Sequence, residues 1–166
     1  MKDCEIVYAF VDNQNLVMGV KRLGWTLDFK RFYVYLREKY HVTKVYIFLG
    51  FIFSNSHLYK YLRSVGYTLV FRKVTYDKKN KIKGNVDVDL TVQVLIDIDK
   101  YDKAILVTSD GDFYPLVLEL QRRGKLLTIM SPHSKTCSRL IKISAKEKIL
   151  YLDKLENKLK KMETPY

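Results

Sequence analysis

Ala104-Ile105-Leu106-Val107-Thr108-Ser109-Asp110-Gly111-Asp112-Phe113-Tyr114-Pro115-Leu116 holds a strand, a turn and the start of a helix in thirteen residues. Ala104 to Val107 is short and wholly apolar, as in a strand buried on both faces. Phe113, Leu116, Val117 and Leu120 then recur at helical spacing up to Gly124. The N-terminus has a matching unit, in which the run Ile6-Val7-Tyr8-Ala9-Phe10-Val11 is closed by Asp12. Apolar strands separated by helix-length segments indicate a parallel sheet covered by helices on both faces.

Working outward, Thr26 is expected to cap a helix carrying Phe29, Phe32, Leu36 and Tyr40. Val45 to Leu49 reads as the second strand. Ser54 or Asn55 opens a helix with Leu58, Tyr61, Leu62 and Val65, ended by Gly66, and Thr68 to Phe71 reads as the third strand. After a Lys-rich loop from Tyr76 to Lys83, Asn85 is expected to cap a helix reaching about Ile98. Its residues Val86, Val88, Leu90, Val92, Val94 and Leu95 circle the axis, which predicts a buried element. Leu126 to Met130 is the fifth strand. Beyond it the sequence allows a short helix over Cys137 to Ile141, an edge strand over Ile149 to Leu152 and a charged helix from Lys154 to Met162. The fold class is α/β, a three-layer α/β/α doubly wound domain. Right-handed crossovers give the strand order 3-2-1-4-5. No repeat or linker divides the chain, so residues 1–166 are expected as one domain, with a core over about 6–152 and the charged helix over about 154–162.

In that order the first and fourth strands are neighbours, and their terminal carboxylates Asp12 and Asp110 share the sheet edge where α/β proteins bind ligands. Asp87 opens the next apolar stretch after Lys83-Gly84-Asn85. Three acids converging on one edge repel one another unless a cation intervenes. Mg²⁺ or Mn²⁺, which take carboxylate oxygens, are the ions this set suits. Such an ion would activate water for phosphodiester hydrolysis with no side-chain nucleophile. The chain shows no Ser-His-Asp pattern, and His41, His57 and His133 lie far from the acidic segments. Asp89 is two residues from Asp87, on nearly the opposite side of a helix, so Asp87 is the expected ligand. Asp112 is read as the cap of the helix that follows it, or as a further catalytic acid. Asn15 can cap a helix, hold a water or meet a phosphate. Thr108 and Ser109 can orient water or satisfy local backbone donors.

Composition agrees with a polyanionic substrate. Thirty Lys and Arg against 18 Asp and Glu leave a net charge of +12, so an acidic pocket runs against the overall balance. Arg72, Lys73, Lys78, Lys79, Lys81 and Lys83 precede Asp87 and could follow a phosphate backbone, with Tyr76 available for stacking. The longest apolar run, Val45 to Phe53, falls short of the ~20 residues a membrane helix needs. There is no signal-like N-terminal segment, so a cytoplasmic location is expected. Cys4 and Cys137 have no metal-binding spacing and are read as reduced thiols.

Three segments, Phe10 to Asn15, Lys83 to Leu90 and Leu106 to Leu116, resemble the three motifs of the NYN domain in its LabA-like branch, and the resemblance runs from about Ile6 to Leu152. NYN domains belong to the PIN-like superfamily of metal-dependent ribonucleases. The resemblance therefore implies a Rossmann-like parallel sheet with an acidic Mg²⁺ or Mn²⁺ site. By position it makes Asp12, Asp87, Asp110 and Asp112 the acids, with Asn15 as partner of Asp12. Gln93 and Lys146 depart from it, standing where many relatives carry acids. The expectation is an RNA endonuclease whose metal ligands are Asp12, Asp87 and Asp110. Substrate contacts are expected from Asn15, Thr108, Ser109, Lys83, Lys81 and Arg72. RNA, single-stranded or structured, is the expected partner, with a homodimer left open. An RNA-binding module on the same fold is the alternative.

Overall fold

A computed structural model of the chain describes residues 5–72, 75–76, 82–83 and 86–162, with 75–76 and 82–83 described in backbone only. The main strands are β1 (Val7–Asp12), β2 (Val42–Gly50), β3 (Thr68–Arg72), β6 (Lys103–Val107), β7 (Leu126–Ser131) and β8 (Ile149–Tyr151). Two short strands, β4 (Thr75–Tyr76) and β5 (Ile82–Lys83), form an antiparallel pair within the segment read as a Lys-rich loop. The helices are α1 (Asn13–Lys21), α2 (Phe29–Tyr40), α3 (Ser56–Val65), α4 (Asp87–Ile96), α5 (Tyr114–Arg122), α6 (Arg139–Ala145) and α7 (Glu156–Leu159).

The sheet has the order β3-β2-β1-β6-β7-β8, every pairing parallel. This is the expected 3-2-1-4-5 arrangement continued by β8 at the edge. Successive side chains of a strand point to opposite faces, and the core divides accordingly. Val7, Ala9 and Val11 of β1 join Val45, Ile47, Ile105 and Val107 beneath α1, α2 and α3. Phe10, Tyr46, Phe48 and Leu106 pack on the other face against α4, α5 and α6. Phe10 and Tyr46 stack there, with ring centroids 5.4 Å apart. Among the described residues no helix is long and apolar enough to cross a membrane.

Four features depart from the sequence reading. Helix α1 is absent from it: nine residues with a polar start and an internal glycine give a weak helical signal. Its Leu16, Gly19 and Val20 are nevertheless buried, and a Cβ at Gly19 would collide with Pro132, so glycine alone lets α1 lie against the loop after β7. The cap of α2 is Asp28, not Thr26. Its carboxylate accepts the backbone N–H groups of Lys30 and Arg31 at 2.9 and 3.1 Å.

Helix α4 is not buried all round. Leu90 and Val94 face the core, while Val88, Val92, Leu95 and Ile96 are exposed, because the sheet covers only one side of it. The expected capping residue Asn85 lies outside the described residues. The charged C-terminal helix shrinks to the single turn of α7, after a 3₁₀ turn over Leu152–Leu155. Leu159 is fully buried in the first core cluster, and Lys160 bridges Leu27 instead of extending a helix. Burying one leucine stabilises by ~2 kcal/mol, more than a solvated helical turn contributes.

Candidate metal centre

β1 and β6 run side by side with Val11 opposite Val107, so both chains leave the sheet at the same place. Asp12, the last residue of β1, is buried. It caps α1 by accepting the Asn15 backbone N–H at 3.1 Å, and its other oxygen accepts the Thr108 hydroxyl at 3.3 Å. The Thr108 hydroxyl oxygen in turn accepts the Asp110 N–H at 3.1 Å. Asn15 completes the link between the two strand exits, since its side-chain oxygen accepts both the N–H and the hydroxyl of Ser109 at 2.8 Å. These bonds hold the two exits in one conformation.

Beyond Ser109 the chain turns sharply. Asp110 accepts the Asp112 N–H at 3.0 Å and thereby caps the 3₁₀ turn Gly111–Phe113. Of the two readings of Asp112, helix cap or further acid, this geometry removes the first. The loop reverses the roles, because the carboxylate that can reach forward to an unpaired N–H belongs to the earlier residue. α5 then begins without a side-chain cap and with Pro115 in its first turn. Gly111 is required by space rather than by its dihedrals, since a Cβ there would meet the Ser138 hydroxyl at 2.5 Å. The Ser138 N–H also donates to the Ser109 carbonyl at 3.0 Å, strapping the loop down.

Freed from capping, Asp112 joins Asp110 and Asp87. One carboxylate oxygen from each lies within 4.8 Å of the other two. Asp87 and Asp110 are half-buried and Asp112 is exposed. In an octahedral shell of ~2.1 Å radius, trans oxygens lie ~4.2 Å apart. Three all-oxygen donors at this separation suit one hard divalent cation after small side-chain rotations. Asp12 lies within electrostatic reach of the group. Burial pushes its carboxyl up from 3.8 to about 6; the Asn15 N–H and the Thr108 hydroxyl oppose the rise, and the charges of Asp87 and Asp110 add to it.

These acids line a cleft of about 420 Å³ whose remaining wall includes Gln14, Asn15, Met18, Gly19, Arg22, Ser109 and Thr136. Gln14, Met18, Arg22 and Thr136 escape the sequence reading. A helical reading of residues 13–21 would have placed Met18 and Arg22 on the Asn15 face. A larger groove of about 730 Å³ runs along α2, lined by alternating charges such as Arg31, Glu38 and Lys39, and gathers no convergent set of ligands.

Of the cations expected to meet substrate, only Arg72 is fully described. Arg72 ends β3 and pairs with Asp89 at 3.1 Å, with both side chains partly exposed. Lys83 is described only as backbone in β5, and Lys73, Lys78, Lys79 and Lys81 lie outside the described residues. Gln93 does not line the cleft and donates to Asp97 at 2.9 Å, and exposed Lys146 ends α6 with a positive φ of 53°. Burial pushes the Cys137 thiol up. Cys4 lies outside the described residues.

A family model of the NYN domain matches residues 7–152. The chain belongs to the NYN domain family. It is similar to the low amplitude and bright protein LabA of Synechococcus elongatus, with 22% identity over 94% of this chain and 88% of that protein. The crystal structure of a protein of unknown function from Vibrio parahaemolyticus has the same fold. Its TM-score is 0.80 at 22% identity, over 96% of this chain and 98% of that one. Membership of the NYN domain family and the three grouped acids fit a nuclease.

Proposed function

We propose that this NYN domain is a metal-dependent ribonuclease that hydrolyses RNA phosphodiester bonds at the acidic cleft. The observation that carries the reading is the meeting of Asp87, Asp110 and Asp112 carboxylate oxygens within 4.8 Å in a chain of net charge +12. Unscreened acids at that separation repel, and they would also repel the substrate. A divalent cation, Mg²⁺ or Mn²⁺, held by these three with Asp12 beside them would supply charge neutralisation at the scissile phosphate and water of lowered pKa.

The chain's own residues do the positioning. Asp12 is oriented by Asn15 and Thr108, and Asp110 is fixed by the turn that it caps. Through Ser109, Asn15 keeps the two loops at constant separation. Arg72, which pairs with Asp89 at the end of β3, is a further candidate phosphate contact, in competition with that carboxylate.

Labelled single-stranded RNA incubated with the protein in Mn²⁺, Mg²⁺ or EDTA tests the reading, with Asp12→Asn and Asp110→Asn alongside. Cleavage is expected with either ion, none in EDTA, and a loss of at least ~100-fold in each variant. Cleavage that persists in EDTA or in both variants refutes it. RNA retention without cleavage selects the binding module.

A further inference from the structure

We infer that Arg22, on the α1 wall of the acidic cleft, holds an RNA phosphate adjacent to the scissile one. The inference rests on the proposed RNA substrate. Asn15, Met18, Gly19 and Arg22 fall at i, i+3, i+4 and i+7, so α1 and its last turn offer one face to the cleft, and all four residues line it. At 1.5 Å per residue, Arg22 sits ~10 Å along the axis from Asn15. That offset along α1 suits a phosphate next to the one at the acids, which the long Arg side chain can meet.

Charge and partnering single Arg22 out. It is the one cationic residue among the described residues lining the cleft, and it is exposed. Its side chain makes no hydrogen bond or ion pair with a described residue; Arg37, Arg63 and Arg139 also lack a carboxylate partner, but none of them lines the cleft. Gly19 holds the α1 face against Pro132, so the guanidinium is carried on a fixed wall. A guanidinium with no acid partner, on the rim of an acidic cleft, matches the planar bidentate recognition of a phosphate.

Arg22→Ala and Arg22→Lys are compared with the unmodified protein in two measurements. The first is binding of a labelled single-stranded RNA in EDTA across a salt series, which needs no catalysis. Arg22→Ala is expected to weaken binding roughly tenfold and to lower the slope of log K against log salt by ~0.7, with the slope retained in Arg22→Lys. The second is cleavage in Mn²⁺, where KM is expected to rise roughly tenfold in Arg22→Ala with kcat nearly unchanged. Unaltered affinity and slope in Arg22→Ala overturn the inference even if the protein cleaves RNA, as does a fall in kcat with constant KM. A reduced slope in a protein that cleaves nothing leaves Arg22 in place and removes the nuclease reading instead. Both variants are checked by thermal unfolding, because a folding defect would lower affinity without changing the slope.

Discussion

Among the described residues two aspartates are buried, and their surroundings push them in opposite directions. Asp97, at the end of α4, accepts hydrogen bonds from the Tyr46 hydroxyl at 2.5 Å, Lys100 at 2.7 Å and Gln93 at 2.9 Å. Burial alone would raise its carboxyl, but Lys100, Tyr46 and Gln93 together outweigh it and hold the group below 3.8. Asp12 has one N–H and one hydroxyl, with two further acids nearby and, among the described residues, no cation bonded to it, and its carboxyl rises to about 6. The first carboxylate is completed by the protein and belongs to the scaffold. The second is left short of positive charge, as expected of a group that waits for a partner from solution.

The sharpest way to break this contrast is to neutralise each side in turn. Asp110→Asn should abolish RNA cleavage, a loss of at least ~100-fold by gel assay, with little change in melting temperature. Asp97→Ala should do the reverse. It strands the buried Tyr46 hydroxyl and removes a charge-assisted bond, costing ~3 kcal/mol in denaturant unfolding while kcat of the folded protein holds. Equal loss of activity in the two variants would end the distinction.

Ion binding sharpens it further. Mn²⁺ at 100 times its Kd should stabilise the protein by ~2.7 kcal/mol through linkage, read as a rise in melting temperature, and Asp110→Asn should lose most of that gain.

The pH dependence of the ion-free protein separates the two groups by sign. Asp12 is charged less readily when folded, so its contribution to stability falls as pH rises from 3.8 to about 6 and stays lost above, by up to ~3 kcal/mol. Asp97 behaves in the opposite way, contributing stability above 3.8 that disappears as pH falls below it. Asp12→Asn should therefore flatten the stability profile between these values, and at pH 7.5 it should raise the stability of the ion-free protein by ~2 kcal/mol. The smallest effect expected is for Tyr46→Phe, ~1 kcal/mol in urea, because Lys100 and Gln93 remain on Asp97.

What is legible in the sequence follows from which interactions are local. Asp12 and Asp110 stand out because each ends an apolar run, and parallel strands with right-handed crossovers leave few ways to order them. Asp87 stands out because it opens one. The exchange of capping between Asp110 and Asp112 is hidden, since both are chemically able and only the path past Ser138 decides. The exposed face of α4 is hidden for the opposite reason: a helix apolar all round looks buried whichever side the sheet covers. Arg22 is hidden with α1 itself, whose helical phase must be known before its stripe can be read. The Arg72–Asp89 pair joins residues 17 positions apart across a segment whose course the sequence does not specify.

The match to the family ends at residue 152, yet the molecule does not. Leu159 lies in the core, and its carbonyl accepts the N–H of Asp28 at 2.9 Å, while the N–H of Lys161 reaches the carbonyl of Thr26 at 2.8 Å. The tail thus serves as a latch across the entrance to α2. A shortened chain stopped at the family boundary would open a socket lined by apolar side chains where Leu159 sits. Any protein engineer trimming this domain should therefore set the stop codon after Lys161.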